Sequence, residues 1–126
     1  MNKGQLTSYG ILLYRKQGDT IQYLLGKIPR GNFWTVFKGM PGPNETPEVT
    51  ALREFAEETG SSDTLTAIDE CTTTATTLTG TARKKKLSIF LKDGSNISES
   101  IFNIDRVVKI DHGFMAGRPE IVAIRW

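Results

Sequence analysis

The sequence predicts an α+β fold in which β-strands flank one central helix. Apolar, β-prone runs occur on both sides of residues 47–59, and only this segment carries a strong helical pattern. No repeat and no linker divides the 126 residues, and that length suits a single domain. We therefore expect residues 1–126 to form one domain.

The strands are predicted from apolar runs between turn residues. Residues 9–16 and 20–27 are separated by the turn-like sequence QGD, which indicates a β-hairpin. Residues 31–39 form a third strand candidate that ends at a glycine. Beyond the helix, the further candidates are residues 71–81, 85–92, 100–110 and 119–126.

The helix has clear signals at both ends. Thr46 supplies a hydroxyl N-cap, and Pro47 suits the first helical position. Glu48 in the first turn complements the positive end of the helix dipole. Gly60 offers a left-handed stop. These signals predict a helix over residues 47–59.

Two faces of this helix differ in chemistry at about 100° per residue. The apolar face, which we expect in the core, consists of Val49, Leu52, Phe55 and Ala56. The acidic face, predicted on nearly the opposite side, consists of Glu54, Glu57 and Glu58. Its members are three and four residues apart, and each like-charge pair at that spacing costs a few tenths of a kcal/mol. Arg53 is the nearby cation that compensates.

The acidic face has two interpretations. A solvated acidic surface is the ordinary one, although such faces usually include lysine and this one has none between Arg53 and Gly60. The alternative is a site for a divalent cation, which would turn the repulsion into attraction. Oxygen-only ligands favour Mg²⁺ or Mn²⁺ over zinc.

Composition narrows the class of protein. The formal net charge is +2, which suits an anionic substrate and is far from that of a dedicated DNA-binding protein. Cys71 is the single cysteine, which excludes an internal disulfide and a cysteine-based zinc cluster. The apolar run near the start is too short for a signal peptide or a membrane span. We expect a cytoplasmic protein with no membrane partner.

The spacing around the acidic face resembles the Nudix box. Gly39, five residues, Glu45, seven residues and then REFAEETG carry the glycines, glutamates and arginine of that motif. Ser61 stands where the family usually has an aliphatic residue, which should weaken a packing contact. Two other segments resemble the family more faintly. WTVFKG is similar to its W-x-x-P-K-G segment, and GRPEIVAIRW is similar to the strand ending in tryptophan of bacterial and phage members.

The resemblance implies the Nudix fold, an α/β/α sandwich with a mixed β-sheet. This chain looks like a minimal version that lacks the helix many members carry after the final tryptophan. The implied activity is Mg²⁺- or Mn²⁺-dependent hydrolysis of a nucleoside diphosphate linked to another group. Diadenosine polyphosphates or nucleoside triphosphates are favoured, while RNA 5′-ends and ADP-ribose stay open. The alternative of another class is a catalytically silent, nucleotide-binding Nudix module, but such members typically lose box glutamates that this chain retains.

The resemblance also implies roles for individual residues. Glu57 and Glu58 are the main metal ligands, and Glu54 either joins them or acts as general base. The backbone carbonyl of Gly39 is a further ligand. Glu45 and Arg53 form an ion pair that holds the loop against the helix. The implied catalytic set is Arg53, Glu54, Glu57, Glu58 and Glu120.

Residues outside the box have weaker assignments. Glu120 is the best-placed extra carboxylate, as ligand or base, and Glu99 is a weaker candidate. Lys38 is a candidate for phosphate contact. The basic run 83–86 is a solvated loop in its ordinary interpretation and a substrate or RNA contact in the other, through Arg83 and Lys85. Exposed strand edges leave a homodimer open.

Overall fold

The computed structural model describes residues 6–61, 68–69, 73–82 and 85–126. No helix among them is long and apolar enough to cross a membrane. One long α-helix and eight strands are present in these residues, in chain order β1 (Leu6–Gln17), β2 (Thr20–Tyr23), β3 (Leu25–Lys27), β4 (Trp34–Thr35), β5 (Phe37–Gly39), α1 (Pro47–Thr59), β6 (Thr73–Ala82), β7 (Lys85–Asp93) and β8 (Ala123–Arg125).

A mixed sheet built around β1 forms the centre of the fold. Strand order is β2-β1-β7-β6, and β5 also pairs with β1. β1 runs parallel to β7 and antiparallel to β2 and β5. The predicted hairpin is confirmed, because Gln17 pairs with Thr20 across the turn at Gly18. The predicted mixed sheet is confirmed as well.

A second, smaller sheet has the order β4-β3-β8. The prediction of a single strand over residues 31–39 is therefore wrong, because this segment forms two short strands in different sheets. β4 pairs with β3 in the small sheet, whereas β5 pairs with β1 in the large one. The chain crosses between the sheets at Val36 and buries Phe37 completely.

The predicted strand over residues 100–110 is wrong. The segment contains a 3-10 turn at Ile104–Arg106 and overlaps another at Glu99–Ile101. Ser98 and Asn103 cap these turns with side-chain acceptors, a local alternative to strand pairing. The other strands beyond the helix are confirmed with changed bounds: β6 is shifted, β7 is one residue longer, and β8 covers three of the eight residues predicted at 119–126.

The bounds of α1 are confirmed at residues 47 and 59. The Thr46 hydroxyl accepts a hydrogen bond from the Val49 amide at 3.2 Å. Gly60 adopts φ 70° and donates its amide to the Ala56 carbonyl at 2.9 Å. A Cβ at Gly60 would also collide with the Asn103 carbonyl oxygen, so glycine is required both by the backbone angle and by the close approach.

The predicted faces of α1 are partly wrong. Val49 is 49% exposed, although it was expected in the core. The buried residues are Thr50, Ala51, Phe55, Ala56, Glu58 and Thr59. Glu58 is only 8% exposed, so part of the acidic face turns inward beside Phe55 rather than lying opposite it. The reason is that Phe55 meets Phe37 and Phe102 edge-on, at centroid distances of 5.3 and 6.1 Å, and this contact sets the rotation of the helix.

We expect Phe55→Ala to lower the free energy of unfolding by about 3–5 kcal/mol, because it leaves a cavity beside Phe37. Urea denaturation measures the change. Val49→Ala on the same helix is the matched control and should cost less than about 0.5 kcal/mol. Equal losses in the two variants would contradict the observed orientation of α1.

Candidate functional site

Gly39 and Glu54 are in direct contact at the junction of β5 and α1. A Cβ at Gly39 would coincide with the Glu54 carboxyl group. Phe37 and Gly39, two residues apart in β5, share the face that meets the helix. A side chain at position 39 would therefore displace the Glu54 carboxylate from its present position.

Glu58 is the most buried carboxylate of the site. Its Oε1 atom accepts a hydrogen bond from the Lys38 backbone amide at 3.2 Å. Burial raises the pKa of Glu58 most, and the negative charges of Glu120 and Glu54 raise it further. The resulting pKa is about 9, with Lys38 acting in the opposite direction. The fold thus holds the negative charges of Glu54 and Glu120 close to the buried carboxyl group of Glu58.

Glu54 shows the same pattern. Desolvation raises its pKa most, and the charge of Glu57 adds to the effect, while Arg53 opposes it. Glu120 also raises the pKa of Glu54. The two helix carboxylates and Glu120 therefore belong to one electrostatic cluster, which we call the carboxylate cluster (Glu54, Glu58 and Glu120).

Glu120 reaches this cluster from a different part of the chain. The Val108 amide donates to the Glu57 carbonyl at 3.0 Å, which ties this segment to α1. The Glu120 amide in turn donates to the Val108 carbonyl at 2.9 Å. Two successive backbone hydrogen bonds thus fix the position of Glu120 relative to the helix.

Arg53 links the helix to the loop that precedes it. Its Nε and Nη2 atoms donate to the two oxygens of Glu45, at 2.7 and 2.9 Å. Nη2 also donates to the Met40 carbonyl at 2.9 Å. Nη1 donates to Glu54 and to Glu57, at 2.9 Å each. The predicted Glu45–Arg53 ion pair is present, and the same guanidinium contacts two carboxylates of α1.

The Glu45 carboxylate has further donors that the sequence did not indicate. The Gly42 amide donates to it at 2.6 Å, and the fully buried Thr50 hydroxyl donates at 3.1 Å. Arg53 is the main cause of a Glu45 pKa lowered to about 2. The pKa of Arg53 is raised in return. Thr50 was missed because threonine inside a helix carries no signal for a tertiary partner.

Ser61 is buried, and its hydroxyl has a partner. The Ser61 Oγ lies 2.7 Å from the Thr59 Oγ1, which also lies 2.7 Å from the Phe55 carbonyl oxygen. A polar pair thus occupies the position where the family usually has an aliphatic residue, and it avoids the cost of an unpaired buried hydroxyl.

The remaining candidates fall in different places. Lys38 lies close enough for its charge to affect Glu58. Glu99 pairs with Arg15 at 3.7 Å and is mostly exposed. Arg83 and Cys71 lie outside the described residues, and only the backbone of Lys85 is described.

The carboxylate cluster fits a hard divalent cation in its donor type. Its side chains offer anionic oxygens, which Mg²⁺ and Mn²⁺ prefer. Among the residues that the structure describes, no three acidic, histidine or cysteine side chains already surround a common point. The side chains of Glu54 and Glu57 instead converge on Nη1 of Arg53, which lies 2.9 Å from an oxygen of each.

A family model of the NUDIX domain matches residues 4–126. The chain belongs to the Nudix family. The matched range includes Gly39, Glu45 and the helix glutamates. No curated protein sequence is significantly similar to the chain.

Two crystal structures of C. elegans Ap4A hydrolase resemble this Nudix chain. One is a binary complex with 25% identity and a TM-score of 0.52, covering 70% of this chain and 65% of the other. The second has 24% identity and a TM-score of 0.53, covering 82% and 74%. The chain thus spans just under two thirds of the first protein. These comparisons support the Nudix fold.

We expect Glu45→Gln to destabilise the protein at neutral pH and to lose this effect in acid. The folded-state pKa of Glu45 is about 2, below the ordinary value of 4.5. The ionised carboxylate therefore stabilises the fold above about pH 4.5, and the stabilisation is lost as the pH falls towards 2. Urea unfolding across this range measures the difference between the two proteins.

Asp19→Asn is the control, since it removes an exposed carboxylate in the turn between β1 and β2, outside the Arg53 contacts. A Glu45→Gln effect that stays constant down to about pH 2 would contradict the ion-pair explanation.

Proposed function

We propose that the protein is a Mg²⁺- or Mn²⁺-dependent pyrophosphohydrolase that cleaves a nucleoside diphosphate linked to another moiety. The observation that carries the proposal is the carboxylate cluster, in which burial and like charges raise the pKa of Glu54 and Glu58. Such a cluster is costly for a fold and suits binding of a cation. Membership of the Nudix family supports the reaction class.

The metal ligands are Glu57, Glu58, Glu54 and the Gly39 carbonyl in this proposal. A bound divalent cation supplies charge neutralisation and a more acidic water. The chain itself supplies the arrangement. Gly39 leaves space for the Glu54 carboxylate, and the Lys38 amide orients Glu58. Arg53 links the loop to the helix and places Glu57 at the edge of the cluster.

Glu120 is the better candidate for general base. Arg53 already donates to Oε1 of Glu54, which occupies one of the two oxygens that could accept a proton. Within the described residues no ion pair occupies the Glu120 carboxylate, and its charge acts on Glu58, so the two carboxylates are close to one another. Its attachment through Val108 keeps it near the helix carboxylates. We therefore assign proton removal from water to Glu120, and metal binding to Glu54.

Diadenosine polyphosphates or nucleoside triphosphates are the proposed substrates. Similarity to an Ap4A hydrolase at 25% identity favours the first class. Lys38 places a positive charge next to the cluster, where a phosphate chain would lie. Arg83 and Lys85 are proposed further phosphate contacts. Cleavage of RNA 5′-ends or ADP-ribose is the alternative within the same reaction class.

We place this activity in the cytoplasm. The one cysteine of the chain permits no internal disulfide, so folding needs no oxidising compartment for it. Strand β2 lies at an edge of the large sheet and exposes Ile21 and Tyr23, which makes pairing of two copies compatible with the fold.

The proposal predicts metal-dependent turnover that Glu58→Gln abolishes. A nucleotide panel with and without Mg²⁺, with product analysis, should show cleavage in the wild type. We expect a loss of at least about a hundredfold in the variant, since a bound cation supplies several kcal/mol. The variant should remain folded, because burial disfavours the ionised carboxylate and the amide keeps an acceptor for Lys38.

Glu48→Gln, a change at an exposed residue of the same helix, is the control with wild-type activity expected. Absence of turnover of every nucleotide by the wild type would favour the catalytically silent binding module instead.

Glu120→Gln tests the assignment of the base. We expect turnover to fall about 10²- to 10⁴-fold, the usual contribution of a positioned base. Mn²⁺ affinity, measured by isothermal titration, should change little. An equal loss of metal affinity would make Glu120 a ligand, and unchanged turnover would return the base role to Glu54.

A further inference from the structure

Two surface turns meet at Arg30 and Phe114. The first, residues 28–33, joins β3 to β4 and is closed by a hydrogen bond from the Ile28 amide to the Phe33 carbonyl at 3.1 Å. The second, residues 109–119, is closed by the pairing of Lys109 with Pro119. The Arg30 guanidinium of the first turn faces the Phe114 ring of the second, 6.0 Å from its centroid.

Both turns start from the backbone that positions Glu120. The Val122 amide donates to the Lys27 carbonyl at 2.8 Å, which joins the base of the first turn to the strand following Glu120. The second turn ends at Pro119, directly before Glu120. Arg30 and Phe114 are therefore carried by turns whose bases lie within two residues of Glu120 or are hydrogen-bonded to that segment.

The spacing of Arg30 and Phe114 differs from that of the other arginine–aromatic pairs. Arg15 lies 4.5 Å from the Trp126 centroid, and Arg125 lies 5.2 Å from that of Trp34. The separation at Phe114 is 6.0 Å. A flat ring that lies between the guanidinium and the Phe114 ring needs a separation of about 3.5 Å from each of them, or about 7 Å between the two groups. A shift of about 1 Å in one exposed side chain would provide that space.

The Phe114 side chain is exposed to solvent, as stacking with a ligand would require. It is 84% exposed, the largest value among the exposed large hydrophobic residues of the described chain. Phe33, in the partner turn, is 64% exposed, and its ring folds back towards Gly31. Two aromatic rings and a guanidinium are thus exposed to solvent on turns whose ends adjoin the backbone of Glu120. A nucleobase is the flat, apolar-faced group that this chemistry recognises.

We propose, on the basis of the function proposed above, that Arg30 and Phe114 bind a nucleobase of the substrate between guanidinium and ring. Stacking of this kind depends on the π-face that every base has, so it tolerates different bases. The site would favour substrates with a nucleoside over bare polyphosphate. Arg30 and Phe114 are then specificity residues outside the Nudix box.

The test is binding of two probes, α,β-methylene ATP and inorganic tripolyphosphate, by isothermal titration with Mg²⁺. Phe114→Ala should weaken the affinity for the nucleotide probe about 5- to 150-fold, the equivalent of stacking energies of about 1–3 kcal/mol. Affinity for tripolyphosphate should stay at the wild-type value. For a substrate that turns over, KM should rise while kcat changes little.

Matched variants separate stacking from other effects. Phe114→Tyr keeps the ring and should keep wild-type affinity, while Tyr23→Ala removes an exposed aromatic elsewhere and should have no effect. Arg30→Lys keeps the charge but loses the planar face, and it should weaken only the nucleotide probe. Thermal unfolding midpoints verify that each variant is folded.

The outcomes distinguish this inference from the proposed function. Wild-type affinity of Phe114→Ala for the nucleotide, or equal loss for both probes, would overturn the nucleobase site. A wild-type protein that binds neither probe would overturn it too. A wild-type protein that binds nucleotide through Phe114 but cleaves no nucleotide would support the nucleobase site and contradict the proposed hydrolase activity.

Discussion

The candidate site depends on the hydrogen bonds that the Arg53 guanidinium donates. Through Glu45 and Met40 it fixes the loop before α1, and through Glu54 and Glu57 it fixes the acidic side chains of the helix. Lysine has no planar group that reaches four partners in this way. The loop conformation and the carboxylate positions are consequently set together, by a single residue of the helix.

Burial of carboxylates makes this site costly for the fold. Glu58 lies in the same buried stripe as Phe55, and its raised pKa shows that the protein environment disfavours its charge. Contacts elsewhere must offset that cost, and the aromatic contacts of Phe55 with Phe37 and Phe102 lie on the same helix. Stability and chemistry therefore compete within one helix, as they do at many functional sites.

Local signals in the sequence were sufficient for the helix and the hairpin, because the Thr46 cap, the Gly60 stop and the QGD turn act through neighbouring residues. The inward rotation of Glu58 was not predictable, since it depends on which partners Phe55 meets. The strand prediction for residues 100–110 failed for a related reason. The apolar content of this segment suits a strand, whereas the side chains of Ser98 and Asn103 favour turns. The motif spacing indicated the box residues, whereas the proximity of Glu120 to Glu58 needed the fold.

The hydrogen bond between Val122 and Lys27 attaches the small sheet to the backbone beside Glu120. The Arg30 and Phe114 turns project beyond this attachment, whereas the helix glutamates are held by Arg53 and β5. Sequence changes at the tips of these turns leave the Arg53 contacts and the packing around Gly39 in place. The molecule thus separates a part under strict chemical constraint from a part in which length and composition are free to vary. Such a division lets a lineage acquire new ligands while it keeps one acidic centre.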